Sequence, residues 1–75
     1  MKIYIIHSEE DLERFRSRND RTYRVNGSLE VHCNLSLKES IIIKGVLYIK
    51  PNRFFEIIGY IKVYGGIETL ELDIY

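Results

Sequence analysis

A short pattern that occurs three times constrains the fold of this chain more than any other feature. In each copy glycine follows an apolar residue by two positions, and further apolar residues stand two and four positions after the glycine. Alternation of this kind is typical of a half-buried strand, and a glycine before a strand permits a sharp bend. The copies occupy residues 25–31, 43–49 and 57–63, and their glycines are Gly27, Gly45 and Gly59.

One helix is predicted ahead of these segments. After a first strand from Lys2 to His7, Ser8 is placed to cap a helix over 9–18, with Asp11 three residues further on as in a loose capping box. Asn19-Asp20 is the expected stop. Later strands are predicted at 24–33, 35–37, 41–43, 46–50, 54–58, 60–64 and 67–74.

The three glycine segments fit two arrangements. In the first they stack in parallel, with inward columns Val25/Ile43/Ile57, Leu29/Leu47/Ile61 and Val31/Ile49/Val63. In the second they form an antiparallel sheet packed on the helix, with hairpins at Gly65-Gly66 and Pro51-Asn52. We favour the first, because every column position is aliphatic, as stacking requires. The prediction is one domain over 1–75, mainly β with one N-terminal helix (α+β): a short right-handed β-solenoid capped by a strand-helix unit.

The glycine-led repeat, preceded by Asp11-Leu12-Glu13, resembles the short β-solenoid repeats of leucine-rich and receptor-L-domain-like proteins. Similar repeats are found in small phage and mobile-element proteins. The resemblance covers roughly residues 8–63. It implies a recognition scaffold of phage or mobile-element type, and it carries no catalytic residues with it.

Composition narrows the classes of function. The formal net charge is zero, so the chain as a whole is not expected to be drawn to nucleic acid or to an acidic membrane. The apolar runs are far shorter than the ~18 residues that span a membrane, and the first residues do not resemble a signal peptide. A single cysteine forms no internal disulfide. We therefore expect a cytoplasmic protein, in the host cytoplasm if it is viral.

No catalytic or metal-binding group is predicted. His7, His32 and Cys33 are the only soft ligands, and neighbours on a strand point to opposite faces. Cys33 is therefore expected to point inward and His32 outward, so that the two do not share a metal. No phosphate-cradling loop is present. We expect no enzyme activity and no cofactor.

Two groups of residues are candidates for binding a partner. The outward columns of the stacked arrangement would be Ser28/Val46/Tyr60, Glu30/Tyr48/Lys62 and His32/Lys50/Tyr64, and tyrosine is enriched at interfaces. An arginine run follows the acidic start of the helix. The predicted partner-binding residues are Tyr48, Lys50, Tyr60, Lys62, Tyr64, Arg14, Arg18 and Arg21.

These residues predict a non-enzymatic protein-binding module, one that as a viral or mobile-element product would inhibit a host factor, for example one in host defence. The alternative is a small nucleic-acid-binding protein, in which Arg14, Arg18, Arg21 and Arg24 hold phosphates and Tyr48 and Tyr60 stack on bases. Self-association, as a homodimer or larger homo-oligomer, is also expected. The last β segment, Ile67 to Tyr75, would otherwise leave an open sheet edge.

Overall fold

The computed structural model describes residues 2–69, and these are mainly β with one short helix, as predicted. The helix, Glu9–Phe15, follows the first strand. Among the described residues there are nine strands: β1 (Ile3–Ile6), β2 (Tyr23–Val25), β3 (Ser28–Val31), β4 (Leu35–Leu37), β5 (Ile41–Ile43), β6 (Leu47–Ile49), β7 (Phe55–Ile57), β8 (Ile61–Val63) and β9 (Ile67–Thr69). The part of the last predicted strand beyond Thr69 lies outside the described residues.

The strands form three sheets, and every neighbouring pair is parallel. Sheet A has the order β1-β3-β6-β9, sheet B the order β2-β5-β8, and sheet C contains β4 and β7. The antiparallel alternative is therefore wrong. Gly65-Gly66 joins β8 to β9, and these strands belong to different sheets, so that the turn is a corner and not a hairpin. The same holds for Pro51-Asn52 between β6 and β7.

Successive strands visit the sheets in a fixed order, and each full passage makes one layer of the molecule. The second layer is β3, β4 and β5, the third is β6, β7 and β8, and β9 begins the next passage along sheet A. In the first layer the helix stands between β1 and β2, at the point in the order where later layers have a strand of sheet C. The second layer thus pairs with the first along sheets A and B, and the third layer pairs with the second along all three sheets.

The core is formed by the inward side chains of the first two layers and of β6. It includes Leu12 of the helix and Leu47, both fully buried, with Ile41 and Ile43 of β5 likewise inaccessible. The inward side chains of β7 and β8 are only half-buried, and that of Ile67 in β9 is 59% exposed. The helix end of the core is therefore closed. The end formed by β7, β8 and β9 is open within the described residues.

The predicted inward columns are correct for the first two glycine segments and wrong for the third. Val25 lies beside Ile43, Leu29 beside Leu47 and Val31 beside Ile49, as expected. The third members of these columns are Val63, Ile67 and Thr69. The predicted third members were Ile57, Ile61 and Val63. Ile57 instead lies beside Leu37, and Ile61 beside Ile41.

The glycines explain this shift. Gly45 N–H donates to the Gly27 carbonyl at 2.9 Å, and Gly65 N–H donates to the Gly45 carbonyl at 2.8 Å, so that these three glycines form the stacked corner. A Cβ atom on Gly65 would lie 2.7 Å from the Gly45 carbonyl oxygen, closer than a backbone atom can accommodate. Gly59 belongs to a different corner and packs against Glu39 and Ser40. The sequence at 57–63 therefore matches the repeat pattern, but Gly59 does not stack on Gly27 and Gly45.

The helix begins where the sequence predicts and ends earlier. The backbone N–H groups of His7 and Ser8 donate to Asp11 Oδ2 at 2.8 and 3.3 Å, which holds the first turn. The helix is a 3₁₀ helix that ends at Phe15 and not at residue 18, because Arg16 already forms a bridge with Tyr23. Asn19-Asp20 consequently lies in the turn that leads to β2.

Candidate interaction surface

The outward positions of the third layer are far more apolar than those of the second. Alternation along the strands points nine residues of each layer outward. In the second layer only Ile42 among them is apolar. In the third layer six of the nine are aliphatic or aromatic, namely Val46, Tyr48, Phe54, Ile58, Tyr60 and Tyr64. Two layers of the same backbone arrangement thus have surfaces of different chemistry.

Four of these residues form what we call the exposed belt: Phe54 (57% exposed), Ile58 (64%), Tyr60 (56%) and Tyr64 (57%). Phe54 and Ile58 flank β7 of sheet C, while Tyr60 and Tyr64 flank β8 of sheet B. The belt therefore crosses the corner at Gly59. Exposed apolar surface concentrated in one region marks an interaction site more often than single scattered residues do.

Phe54 and Ile58 are missing from the sequence prediction. They lie in the run Phe54-Phe55-Glu56-Ile57-Ile58, in which both phases of the alternation contain apolar residues. The structure turns Phe55 and Ile57 toward Leu35 and Leu37 of β4. Phe54 and Ile58 are therefore exposed to solvent. The pairs Phe54-Phe55 and Ile57-Ile58, at the two ends of this strand, are the feature of the sequence that could have predicted this.

The predicted tyrosine and lysine surface is divided between two sheets. Tyr48 lies on β6 of sheet A, between Glu30 and Glu68, with Lys50 just beyond the strand. Tyr60, Lys62 and Tyr64 belong to sheet B, where Lys62 lies beside Ile42. The predicted outward column of Glu30, Tyr48 and Lys62 is therefore wrong, because the third glycine segment stacks on β5 and not on β6.

The arginines of the prediction are in the first layer and the turn after it. The Arg14 guanidinium lies 5.1 Å from the ring centroid of Tyr4 and 5.2 Å from that of Phe15. Arg18 and Arg21 are exposed in the turn before β2. The second layer separates all three from the tyrosines of the third layer. The structure thus places the two predicted groups at different levels of the molecule.

The histidines and the cysteine lie near one another with distinct environments. The rings of His7 and His32 are 5.3 Å apart between centroids, and His32 Nε2 lies 2.9 Å from Glu30 Oε1. Cys33 is half-buried against the core, and this burial raises the pKa of its thiol. Residues 2–69 contain no cluster of three side chains placed to ligate a metal ion.

No helix within residues 2–69 has the length and apolar character needed to cross a membrane. Comparison of the chain with known proteins finds no matching family model, no similar curated protein and no similar solved structure.

Proposed function

We propose that the chain is a short right-handed β-solenoid and that it works as a non-enzymatic protein-binding module. The solenoid interpretation is supported by the fixed order in which the strands visit three parallel sheets and by the stacked glycines Gly27, Gly45 and Gly65. A right-handed path is the strongly preferred one for parallel strands joined by a crossover. In this interpretation β1, the helix and β2 are the cap, and each later layer is one coil.

The exposed belt is the observation that carries the binding function. A chain of this size can bury only a small core, yet it leaves Phe54, Ile58, Tyr60 and Tyr64 each more than half exposed. The corresponding surface of the second layer is polar, so that the fold itself does not require apolar residues there. Aromatic residues supply much of the contact area in protein interfaces. A protein partner that covers the belt would remove this surface from water.

The partner in this proposal is a host protein, and the module inhibits it as a small viral or mobile-element product acting in the cytoplasm. The resemblance of the glycine repeat to that class of proteins supports this part. Self-association belongs to the same proposal. The edges of β7, β8 and β9 bear no further strand within the described residues, and a second copy presents the same three sheets to pair with them.

Affinity capture with matched variants tests the binding function. The belt variant carries Phe54→Ser and Ile58→Ser, both on sheet C. The control variant carries Lys38→Ser, the outward position that lies beside Ile58 in the second layer. We expect one protein to be captured by the wild-type chain and by the control at 0.5 M salt, and to be lost with the belt variant.

Capture that is equal for the belt variant and the wild type would refute the role of the belt. Capture that disappears at high salt and depends on Arg14, Arg18, Arg21 and Arg24 would favour the nucleic-acid alternative, because contacts with phosphates weaken steeply with salt. The same preparations, examined by light scattering from low to high micromolar concentration, test self-association. A mass that stays monomeric throughout contradicts it.

A further inference from the structure

The outer side of sheet B concentrates positive charge in a chain whose formal net charge is zero. Arg24, Ile42 and Lys62 form one row across β2, β5 and β8, and Lys44 and Tyr64 follow in the next row. The segments 22–26, 40–44 and 60–64 that build this sheet contain no acidic residue. The row of cations therefore has no carboxylate beside it on the sheet.

A cleft opens on this side of the sheet. Its volume is about 140 Å³, and it is lined by Arg24, Val25, Asn26, Ile42, Lys44 and Tyr64. A phosphate group fits such a volume, with Ile42 and the Tyr64 ring as apolar walls.

The two lysines are held close together by the same aromatic ring. Lys44 Nζ lies 5.0 Å and Lys62 Nζ 4.9 Å from the ring centroid of Tyr64. The two ammonium groups are therefore no farther apart than these two distances combined. Neither is part of an ion pair among the described residues. Their mutual repulsion is relieved when an anion binds between them.

The third cation is only partly neutralised. Arg24 Nη2 lies 2.8 Å from Asp20 Oδ2, and both side chains are about half exposed. This pair also holds Arg24 in place, because the Asp20 carboxylate accepts a hydrogen bond from Thr22 N–H at 3.1 Å. The Asp20 carboxylate pairs with Arg24, and Lys44 and Lys62 have no such partner among the described residues. This leaves two uncompensated positive charges beside Tyr64.

We propose that this cleft binds a nucleoside phosphate, either free or as one unit of a single-stranded nucleic acid. The phosphate lies between Arg24 and Lys44, which line the cleft, and Lys62 near the Tyr64 ring is a further cation. Charge-assisted hydrogen bonds hold the phosphate there. The base stacks on the exposed ring of Tyr64, as bases stack on aromatic side chains in single-strand binding sites. The site shares Tyr64 with the exposed belt and lies apart from Phe54 and Ile58 on sheet C. It does not depend on the proposed protein partner.

Amide NMR of the full chain tests this proposal with four probes: uridine monophosphate, uridine, inorganic phosphate and a single-stranded oligouridylate. We expect uridine monophosphate to shift the amides of Val25, Asn26, Lys44 and Tyr64, and to bind at least tenfold more tightly than uridine or phosphate alone. If the natural ligand is a nucleic acid, the oligonucleotide binds at least tenfold more tightly than the monophosphate. Its affinity then falls about threefold between 50 and 200 mM salt, as one neutralised phosphate of a single strand requires.

Three variants identify the groups involved. The double variant Lys44→Gln with Lys62→Gln should weaken binding at least tenfold. Tyr64→Leu should remove the preference for uridine monophosphate over phosphate while phosphate still binds. Lys50→Gln, which removes a cation at sheet A, should leave binding unchanged.

Several results would overturn the proposal. These are the absence of shifts at the cleft amides, equal affinity of the wild type and the double lysine variant, or tighter binding of a phosphotyrosine peptide than of uridine monophosphate. If the double variant does not give a folded spectrum, the salt dependence of the wild-type chain decides. Oligonucleotide affinity that does not change between 50 and 200 mM salt then refutes the phosphate contacts.

Discussion

Alanine substitutions at Leu47 and at Ile67 test where the core ends. Both residues belong to the inward column that contains Tyr4 and Leu29, and they lie beside one another in register. Leu47 is fully buried, whereas Ile67 is 59% exposed. If the core is open at β9, the two alanine substitutions remove side chains of similar size, one from a buried site and the other from a solvent-exposed site. Their energetic costs should then differ strongly.

The expected costs follow from burial. Leu47→Ala removes buried methyl groups and leaves a cavity, which costs about 3 kcal/mol. Ile67→Ala leaves no cavity and loses less than half of the transfer free energy, which amounts to about 1 kcal/mol. A chain of this length has a total unfolding free energy of about 4–11 kcal/mol. Leu47→Ala should therefore lower Tm by about 12–24 °C and Ile67→Ala by about 4–8 °C.

Circular dichroism during thermal and urea unfolding measures both losses. The measurement is made at low and at high micromolar concentration, because a second copy on the open end would raise the cost of Ile67→Ala with concentration. Equal losses for the two variants at every concentration would refute the conclusion that the core is open at β9. A loss for Ile67→Ala that grows with concentration would support self-association through this end.

Two predictions follow from the ionisable groups. The pKa of Asp20 is held below its usual value by hydrogen bonds from Thr22 N–H and Arg24, so its stabilising effect is present above about pH 4 and is lost as the pH falls through the lowered pKa. Asp20→Asn should therefore reduce the urea midpoint more at pH 6 than at pH 2; an equal reduction at both pH values would contradict this. Burial raises the pKa of the Cys33 thiol, so a disulfide reagent at pH 8 should react more slowly with the native chain than with the urea-unfolded chain. Equal reaction rates for the native and the unfolded chain would contradict this prediction.

Strand positions could be predicted from this sequence because alternation and turn residues are local signals. The predicted segments at 35–37 and 41–43 match β4 and β5 residue for residue. The capping interaction of Asp11 was also predictable, because it depends on residues a few positions apart. The early end of the helix was not, since it depends on the contact of Arg16 with Tyr23.

The register of the third layer could not be predicted, because it depends on the length of the corners. The chain between β6 and β7 is two residues longer than that between β3 and β4. It contains Asn52 in the left-handed region, with φ 63°. Local alternation is the same in either register, so that Gly59 appeared equivalent to Gly45. The distinction lies in the stacked backbone of Gly45 and Gly65, which only the assembled layers show.

This register decides which surfaces can exist. If Lys62 lay beside Tyr48, it would share a row with Glu30, which lies on the other side of Tyr48. Its actual position beside Ile42 places it in a row with Arg24, away from any carboxylate of the sheet. The same register places Lys44, which follows β5, and Lys62 of β8 near the ring of Tyr64. The positive cleft is therefore a property of how the layers stack. No local segment of the sequence contains it, because Arg24, Lys44 and Tyr64 are each about twenty positions apart in the chain.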